Sequence, residues 1–482
     1  MADRLPSKTL ETVLAGLPDG VTIDRYEKHA HTLELFVNWK EPLLTERVCP
    51  KCGSTHCVKK DCGSTQTIRH VRTGIYGTLL TFHKPRFLCR ECGSTFYARP
   101  PFAVQGMSVS VALFLEIVAL LTSTTHSLAD IAGATNTSPS IVLHVMYRIS
   151  LDKPKSLPET IGIDEFHGKT GSYNKSRKRF DTEKYHCIIT DAEEGCVIDI
   201  LYKATYSHLH AYFMEYPLFR RQHVRFFCTD MRGGFSKVAR NCFPNAKICI
   251  DPFHVIKLIA DAVNDVRINE WHRLRAKADS LLTQAREADD AGETAVAEKL
   301  KKDAGLLKEH ADILRSSRRL LVTSPFNENA YWNNHEKLRD EKYAAVCAIA
   351  PSLKTARDAL VEFYELVEMT AYKYRRAELT KWINCYKACD LPPIRQAASS
   401  INIHRRGIEN AWRYGKSNGP TEGLNKKIKD VRRMGFGAHD FENFRRRILL
   451  ACGSTTIETV RYTVFGEKAS EAPRKEVMPL YG

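Results

Sequence analysis

The chain has 482 residues, 43% hydrophobic and 27% charged, ordinary values for a folded chain and enough length for about three domains. That composition excludes a largely disordered or collagenous chain, and no uncharged apolar run is long enough to cross a bilayer. Lys and Arg number 72 against 56 Asp and Glu, a net charge of +16, which favours a polyanionic partner.

The charge is unevenly spread. Cys49 to Arg99 carries 9 Lys/Arg against 2 Asp/Glu, and Ile401 to Leu450 carries 12 against 5, so each block holds +7. Met1 to Pro50 is slightly acidic, 6 against 8. Two basic blocks predict nucleic-acid binding, with a merely solvated surface as the alternative. Met1 to Asp24 has acids at Asp3, Glu11 and Asp19 and no apolar block, so it is not read as a secretory signal. Fifteen cysteines without an export signal are read as metal ligands before disulfides.

In chain order, residues 1–48 form a short mixed segment. Residues 49–100 are cysteine-rich and strand-like, with Cys49-Pro-Lys-Cys52-Gly and Cys89-Arg-Glu-Cys92-Gly flanking a hairpin that turns at Gly74. Two thiolates spaced by two residues face one tetrahedral ion, and the following Gly permits the tight turn, so this is a zinc-ribbon pattern. Cys57 and Cys62 are expected in the intervening loop, where a ligand swap is possible; His56 and His70 are expected at the surface. Zn²⁺ here is structural, and Arg69, Arg72, Lys84 and Arg86 are expected to meet DNA phosphates.

Residues 101–155 read as helices. Ser127 to Val145 fits a helix-turn-helix: Leu128, Ile131 and Ala132 on a short helix, a turn over Gly133 to Thr137, Ser138 as cap and Pro139 at the first helical position. Ser140 and His144 would face the major groove.

Residues 156–256 alternate strand and helix. Thr160-Ile-Gly-Ile-Asp164 and Val224-Arg-Phe-Phe-Cys-Thr-Asp230 are strands that each end in a carboxylate. The order is three strands, helix, strand, helix, strand, that of the ribonuclease H-like fold, which sets the first and fourth strands side by side. Adjacent carboxylates repel and resist joint ionisation unless a divalent cation is bound. A third acid is needed; Glu422 in Ser417-Asn-Gly-Pro-Thr-Glu-Gly-Leu-Asn falls in the first turn of a helix followed by cations. Residues 257–405 are helical, with an Ala/Leu/Lys/Glu-rich hairpin at Glu270 to Glu309; 406–462 are helical and basic, and 463–482 read as a flexible tail.

With these motifs, Thr229-Asp-Met, Phe243-Pro-Asn-Ala, Asp251-Pro-Phe-His-Val-Ile-Lys and Phe441-Glu-Asn-Phe-Arg-Arg-Arg, the chain resembles insertion-sequence transposases of the DDE type, specifically the ISL-three family, from about Cys49 to Leu450. The resemblance implies a multidomain α+β protein: N-terminal zinc ribbon, helix-turn-helix, and a ribonuclease H-like α/β catalytic core interrupted by an all-helical insertion. It implies a triad of Asp164, Asp230 and Glu422 holding two Mg²⁺ ions, with Mn²⁺ able to substitute. Asp251 and His254 resemble a pair near the active site of several transposase groups, and Lys426, Lys427, Arg432 and Arg433 would grip phosphates. Double-stranded DNA and a homodimer or larger homo-oligomer are the implied partners, with no membrane, in a bacterial cytoplasm at the nucleoid. The sequence departs from the family after the second Asp, where Met231-Arg-Gly-Gly stands in place of an aromatic and a proline. It also departs in the long, basic stretch Gly168 to Lys184. The rival readings are a non-catalytic DNA-binding regulator and a structure-selective nuclease.

Overall fold

The computed structural model describes residues 16–18, 20–39, 47–174, 179–231, 233–327, 336–434 and 440–465. The tail beyond 465 lies outside them. The first sheet contains β1 (Val21–Lys28), β2 (Thr32–Trp39), β3 (Cys57–Thr73), β4 (Tyr76–Cys89) and β5 (Thr95–Tyr97), in the order β1-β2-β4-β3 with β5 beside β4. β3 and β4 form the expected hairpin, and Gly74 takes a φ of +62° at its turn, where a side chain is strained.

The sheet crosses the boundary expected at residue 48. β2 pairs in parallel with β4, from Thr32 opposite Gly77 to Val37 opposite Phe82. The signal was present: Leu33, Leu35, Val37 and Trp39 alternate with period two, and Leu35 and Val37 join Ile68, Leu80, Phe82 and Phe102 in one core. Cys57 begins β3 rather than lying in a loop; it is buried and donates to the Ser54 carbonyl. The side chain of Cys62 lies outside the described residues. His70, expected at the surface, is buried and bonds Ser110 Oγ through Nδ1 at 2.7 Å.

Helices α1 (Val111–Leu121), α2 (Leu128–Ala134) and α3 (Pro139–Arg148) follow. Ser127 and Asp130 form a reciprocal capping box on α2. Ser138 accepts from the Ile141 N–H, and Pro139 opens α3. Asn136 holds a φ of +51° in the turn between α2 and α3. Its side chain stands where a Cβ on Gly77 would fall, and Arg69 donates to its carbonyl at 3.1 Å, so the turn is locked to the ribbon hairpin.

The second sheet contains β6 (Thr160–Asn174), β7 (Arg179–Asp191), β8 (Cys196–Leu201), β9 (Phe226–Thr229) and β10 (Lys247–Ile250), in the order β10-β9-β6-β7-β8. β6, β7 and β8 are antiparallel neighbours, and β9 and β10 run parallel to β6. Of the stretch from Gly168 to Lys184, residues 168–174 continue β6 and 179–184 belong to β7, and 175–178 lie outside the described residues. One face is covered by α4 (Tyr206–Met214) and α6 (Gly233–Cys242), with α5 (Leu218–His223) between them in sequence.

After β10, α7 (Pro252–Asp290) and α8 (Thr294–Ser316) form the helical hairpin seen in the composition, turning at Gly292 with a φ of +79°. The helical stretch continues through α9 (Arg318–Val322), α10 (Glu336–Ile349), α11 (Ser352–Glu368) and α12 (Tyr372–Lys387) to α13 (Pro392–Tyr414). These helices share a core that reaches Ile250. α7 begins before residue 257 and α13 ends after 405, so continuous helices join this stretch to the sheet. A Cβ on Gly407 would lie 2.6 Å from Ile250, and only Gly lets α13 approach β10 so closely.

α14 (Gly419–Met434) and α15 (Phe441–Cys452) cover the other face of the second sheet, and α16 (Ile457–Val460) follows. Their apolar residues Leu424, Ile428, Phe444 and Ile448 merge with those of α1, α2 and α3 into one core. Three consecutive arginines on α15 reinforce that union. Arg445 pairs with buried Asp199 at 2.6 Å. Arg446 donates to the carbonyls of Met146 and Ile149 at the end of α3. Arg447, buried, donates to the carbonyls of Leu121, Ser123 and His126. Carbonyls at a helix C-terminus attract cations, so part of the second basic block is structural charge. Among the described residues no helix is long and apolar enough to cross a membrane.

Candidate active site and zinc centre

The two C-x-x-C loops are built alike. In each, the N–H of the Gly after the second Cys donates to the carbonyl of the first Cys, and that first Cys receives a serine carbonyl, Ser54 or Ser94, on its own N–H. Gly53 and Gly93 hold φ values of +74° and +67°. The thiols of Cys49 and Cys92 are 3.6 Å apart, as are those of Cys52 and Cys89, and all four lie within 4.8 Å of one another. A tetrahedral zinc with Zn–S near 2.3 Å needs sulfurs separated by about 3.8 Å, so these four cysteines fit a structural Zn²⁺. The Ser94 hydroxyl, 3.3 Å from the Cys49 sulfur, contributes most to holding that thiol down to about 6.

The acids lie on three neighbouring parallel strands: Asp230 and Asp251 directly follow β9 and β10, whereas Asp164, expected to close its strand, sits inside β6, which pairing with β7 carries on to Asn174. In the β6–β9 register Gly162 faces Cys228, and in the β9–β10 register Thr229 faces Ile250. Asp164, Asp230 and Asp251 each follow at the same level, two or one residues on. Glu422 reaches them from the first turn of α14. Asp164 accepts from the Asn425 side chain at 2.7 Å through one oxygen and from the Glu165 N–H through the other. Burial pushes Asp164 up to about 6, with Asp230 and Glu422 adding to the rise and His254 opposing it. Glu422 is raised too, mainly by burial, against the pull of His254.

His254, in the first turn of α7, sets Nε2 3.0 Å from Oε1 of Glu422. The two atoms are out of line for a hydrogen bond, and the nitrogen is buried without one. Asp251 is the joint of the site. It caps α7 by accepting from the Phe253 N–H at 2.8 Å, and its other oxygen accepts from the buried Asn418 N–H at 2.7 Å. Asn418 in turn donates to the Ile163 carbonyl at 3.2 Å. One buried carboxylate therefore ties the starts of α7 and α14 to the strand ends.

Gly162 allows α14 to seat. A Cβ there would lie 2.2 Å from Thr421 Oγ1 and 2.4 Å from Thr190 Oγ1, two hydroxyls already bonded at 2.7 Å. Gly162→Ala is expected to lower stability by about 1–3 kcal/mol, the usual effect of overpacking, and to displace the neighbouring Glu422; thermal unfolding measures the first effect. An unchanged Tm would show that α14 does not rest on this contact.

Sequence reasoning missed Asn425, Asn418 and His404. His404, on α13, is lowered by burial, while Asp230 acts on it in the opposite direction. An N-x-x-x-E-x-x-N spacing around Glu422 was the available signal for the two asparagines. Nothing comparable marked His404, which arrives from a distant helix.

The residues expected to meet DNA divide. Ser140 and His144 are exposed on α3, as are Lys426 and Lys427 on α14. Arg72 is exposed and bonds the Ile75 carbonyl. Lys84 and Arg86 turn inward: Lys84 donates to Gln66, and Arg86 donates to Thr95 and pairs with Asp61 at 3.6 Å. Arg432 donates to the His167 carbonyl at 2.6 Å, and Arg433 lies 3.4 Å from Asp430. Among the described residues, the groups whose ligand atoms all lie within 4.8 Å of one another are the four thiols and the exposed set Glu27, His29 and Glu34. Asp164, Asp230 and Glu422 do not form such a group.

Residues 161–448 match a family model described as "Transposase", that of the ISL-three DDE group, and residues 45–92 match one described as "zinc-finger of transposase IS204/IS1001/IS1096/IS1165". Two curated relatives from Mycobacterium tuberculosis, strains CDC 1551 / Oshkosh and ATCC 25618 / H37Rv, carry the name "Transposase for insertion sequence element IS1557". Each is 25% identical over 280 residues, 58% of this chain and 56% of the relative. The chain thus spans little more than half the length of either relative. With the family model covering more than half of the chain, and Asp164, Asp230 and Glu422 inside the matched region, this protein belongs to the ISL-three family of DDE transposases.

Proposed function

We propose that this protein is a DNA transposase that binds the terminal inverted repeats of its insertion sequence and carries out metal-dependent strand cleavage and strand transfer. The observation that carries the proposal is the level alignment of Asp164 and Asp230 on neighbouring parallel strands, beneath Glu422. Their fit to a cation rests on the raised Asp164 and Glu422: buried, mutually repelling carboxylates ionise together most readily around a divalent ion. Asp164, Asp230 and Glu422 would hold Mg²⁺, or Mn²⁺ in its place, and the ions would activate the attacking oxygen and stabilise the leaving one.

The chain's own groups do the rest. Asn425 fixes the Asp164 carboxylate, and His254 steadies Glu422. Water cuts a strand to leave a 3′-hydroxyl; that hydroxyl then attacks a target phosphodiester, forming one P–O bond as another breaks. The second sheet with α14 and α15 is the ribonuclease H-like core in this reading, and residues 257–405 its helical insertion. The zinc ribbon and a helix-turn-helix of α2 and α3 recognise the element ends, with Ser140 and His144 toward the groove and Arg69, Arg72, Lys426 and Lys427 toward phosphates. Joining two ends calls for a dimer or larger assembly, acting in the bacterial cytoplasm at the nucleoid.

The test is cleavage of labelled DNA from the gene's own flanks, with Mg²⁺ or EDTA, beside Glu422→Gln. Metal-dependent nicking at a defined end, lost in the variant, is expected. Tight binding without cleavage in any metal would overturn the enzymatic reading in favour of a DNA-binding regulator.

A further inference from the structure

The first turn of α7 presents an unexplained ring. Phe253 is 56% exposed, although it stands between Asp251, which is buried, and His254, which touches Glu422. Its ring centroid is 6.1 Å from that of His254, edge to face. The ring therefore lies at the border of the acidic cluster, with its apolar surface in water. Lys257 is exposed one helical turn further on, and residues four apart share a helix face. Lys257 is also near enough to Glu422 to help ionise it.

The platform is held rigid. The Asp251 carboxylate that receives the Phe253 N–H also receives the Asn418 N–H at the start of α14. Phe253 and Glu422 are thus set relative to each other through one buried group. Fixed placement of an aromatic beside a reacting centre is what an orienting contact requires.

We propose that Phe253 and Lys257 form a nucleotide clamp beside the acidic cluster, the ring stacking on a base unpaired at the cut site and the ammonium holding its phosphate. The inference rests on the DNA-cutting reading above and adds the form in which the strand is held. A paired base hides both faces within the duplex, so a side-on ring can engage only a base that has left the stack. Every base offers a π-face, so the contact is insensitive to sequence. Lysines 257 and 426 give the surroundings the sign a phosphate needs. A second copy of the chain covering the ring is the competing outcome.

The test uses the full-length protein and a forked duplex from the gene's flank, carrying 5-iododeoxyuridine at the first unpaired position. Irradiation is expected to crosslink the base to Phe253, mapped by peptide mass spectrometry. Phe253→Trp should keep the crosslink. Phe253→Leu, which retains apolar bulk without a π-face, should lose it and bind the fork about tenfold more weakly, the lower range for one stacked base. Lys257→Gln should reduce the slope of log affinity against log salt by about 0.7, one single-strand phosphate. A crosslink mapped elsewhere, with Phe253→Leu binding the fork like the wild type, overturns the clamp. Loss of self-association in Phe253→Leu without change in fork binding overturns it in favour of the second copy. Cutting of the same probe is followed separately. Cutting with Phe253 inert removes the clamp and leaves the enzyme; a crosslink at Phe253 without cutting in any metal keeps the clamp and removes the enzyme.

Discussion

Asp230→Asn is expected to lower strand cleavage by about 10³-fold or more, because in the proposed mechanism Asp230 would hold a cation and its loss would forfeit several kcal/mol of transition-state stabilisation. Binding of the element ends should remain. The substitution is nearly isosteric at a position that is almost fully buried, so packing is retained. It also removes a charge that raises Asp164. Cleavage kinetics, DNA binding by gel shift and Mn²⁺ affinity by titration separate these effects. Unchanged cleavage would remove Asp230 from the chemistry, and loss of binding together with cleavage would make it a structural residue instead.

Cys89→Ser is expected to release the zinc and unfold the ribbon, since structural zinc supplies about 10–16 kcal/mol to small domains of this kind. Cys89 is fully buried at the end of β4, its sulfur 3.6 Å from that of Cys52. Serine leaves three thiols and opens the tetrahedron. The consequence reaches further than the ribbon. β3 also carries Arg69, which holds the turn between α2 and α3, so the presentation of α3 to DNA should loosen as well. Zinc content by atomic absorption should fall from one per chain to none, and binding of the element ends should weaken. Full zinc content with normal end binding would falsify the four-cysteine assignment.

Much of the candidate site was legible because its signals are local. Two C-x-x-C-G loops announce a zinc centre through spacing alone. Ser127, Ser138 and Pro139 announce two helix starts through their own capping chemistry. Asp164 and Asp230 each close a short apolar run; β9 does end just before Asp230, but β6 runs on past Asp164 to Asn174 because β7 pairs with it there. The order of strands and helices then made it reasonable to expect the two acids together, and the parallel pairing of β6 with β9 sets them at one level.

Other features depend on partners far away in sequence. The charge of Arg445, Arg446 and Arg447 reads the same whether it faces phosphate or a helix end. Packing turned it toward Asp199 and the carbonyls that close α3 and α1. Lys84 and Arg86, expected at phosphates, are half-buried and meet Gln66, Thr95 and Asp61 within the sheet. His404 joined the site only because Gly407 lets α13 lie close against β10.

The sequence by itself determined the C-x-x-C-G loops, the helix caps and the apolar runs that carry Asp164 and Asp230 into the sheet, since each depends on residues within a few positions of one another. Only the tertiary structure decided which cations have protein partners, such as Arg445 and Arg447, and that the first hairpin belongs to the ribbon sheet. It also decided that Asp251 binds α7, α14 and the strand ends together. Desolvation is the physical reason: a buried charge or N–H must find a partner, and the nearest partner in space is set by the packing of the whole chain.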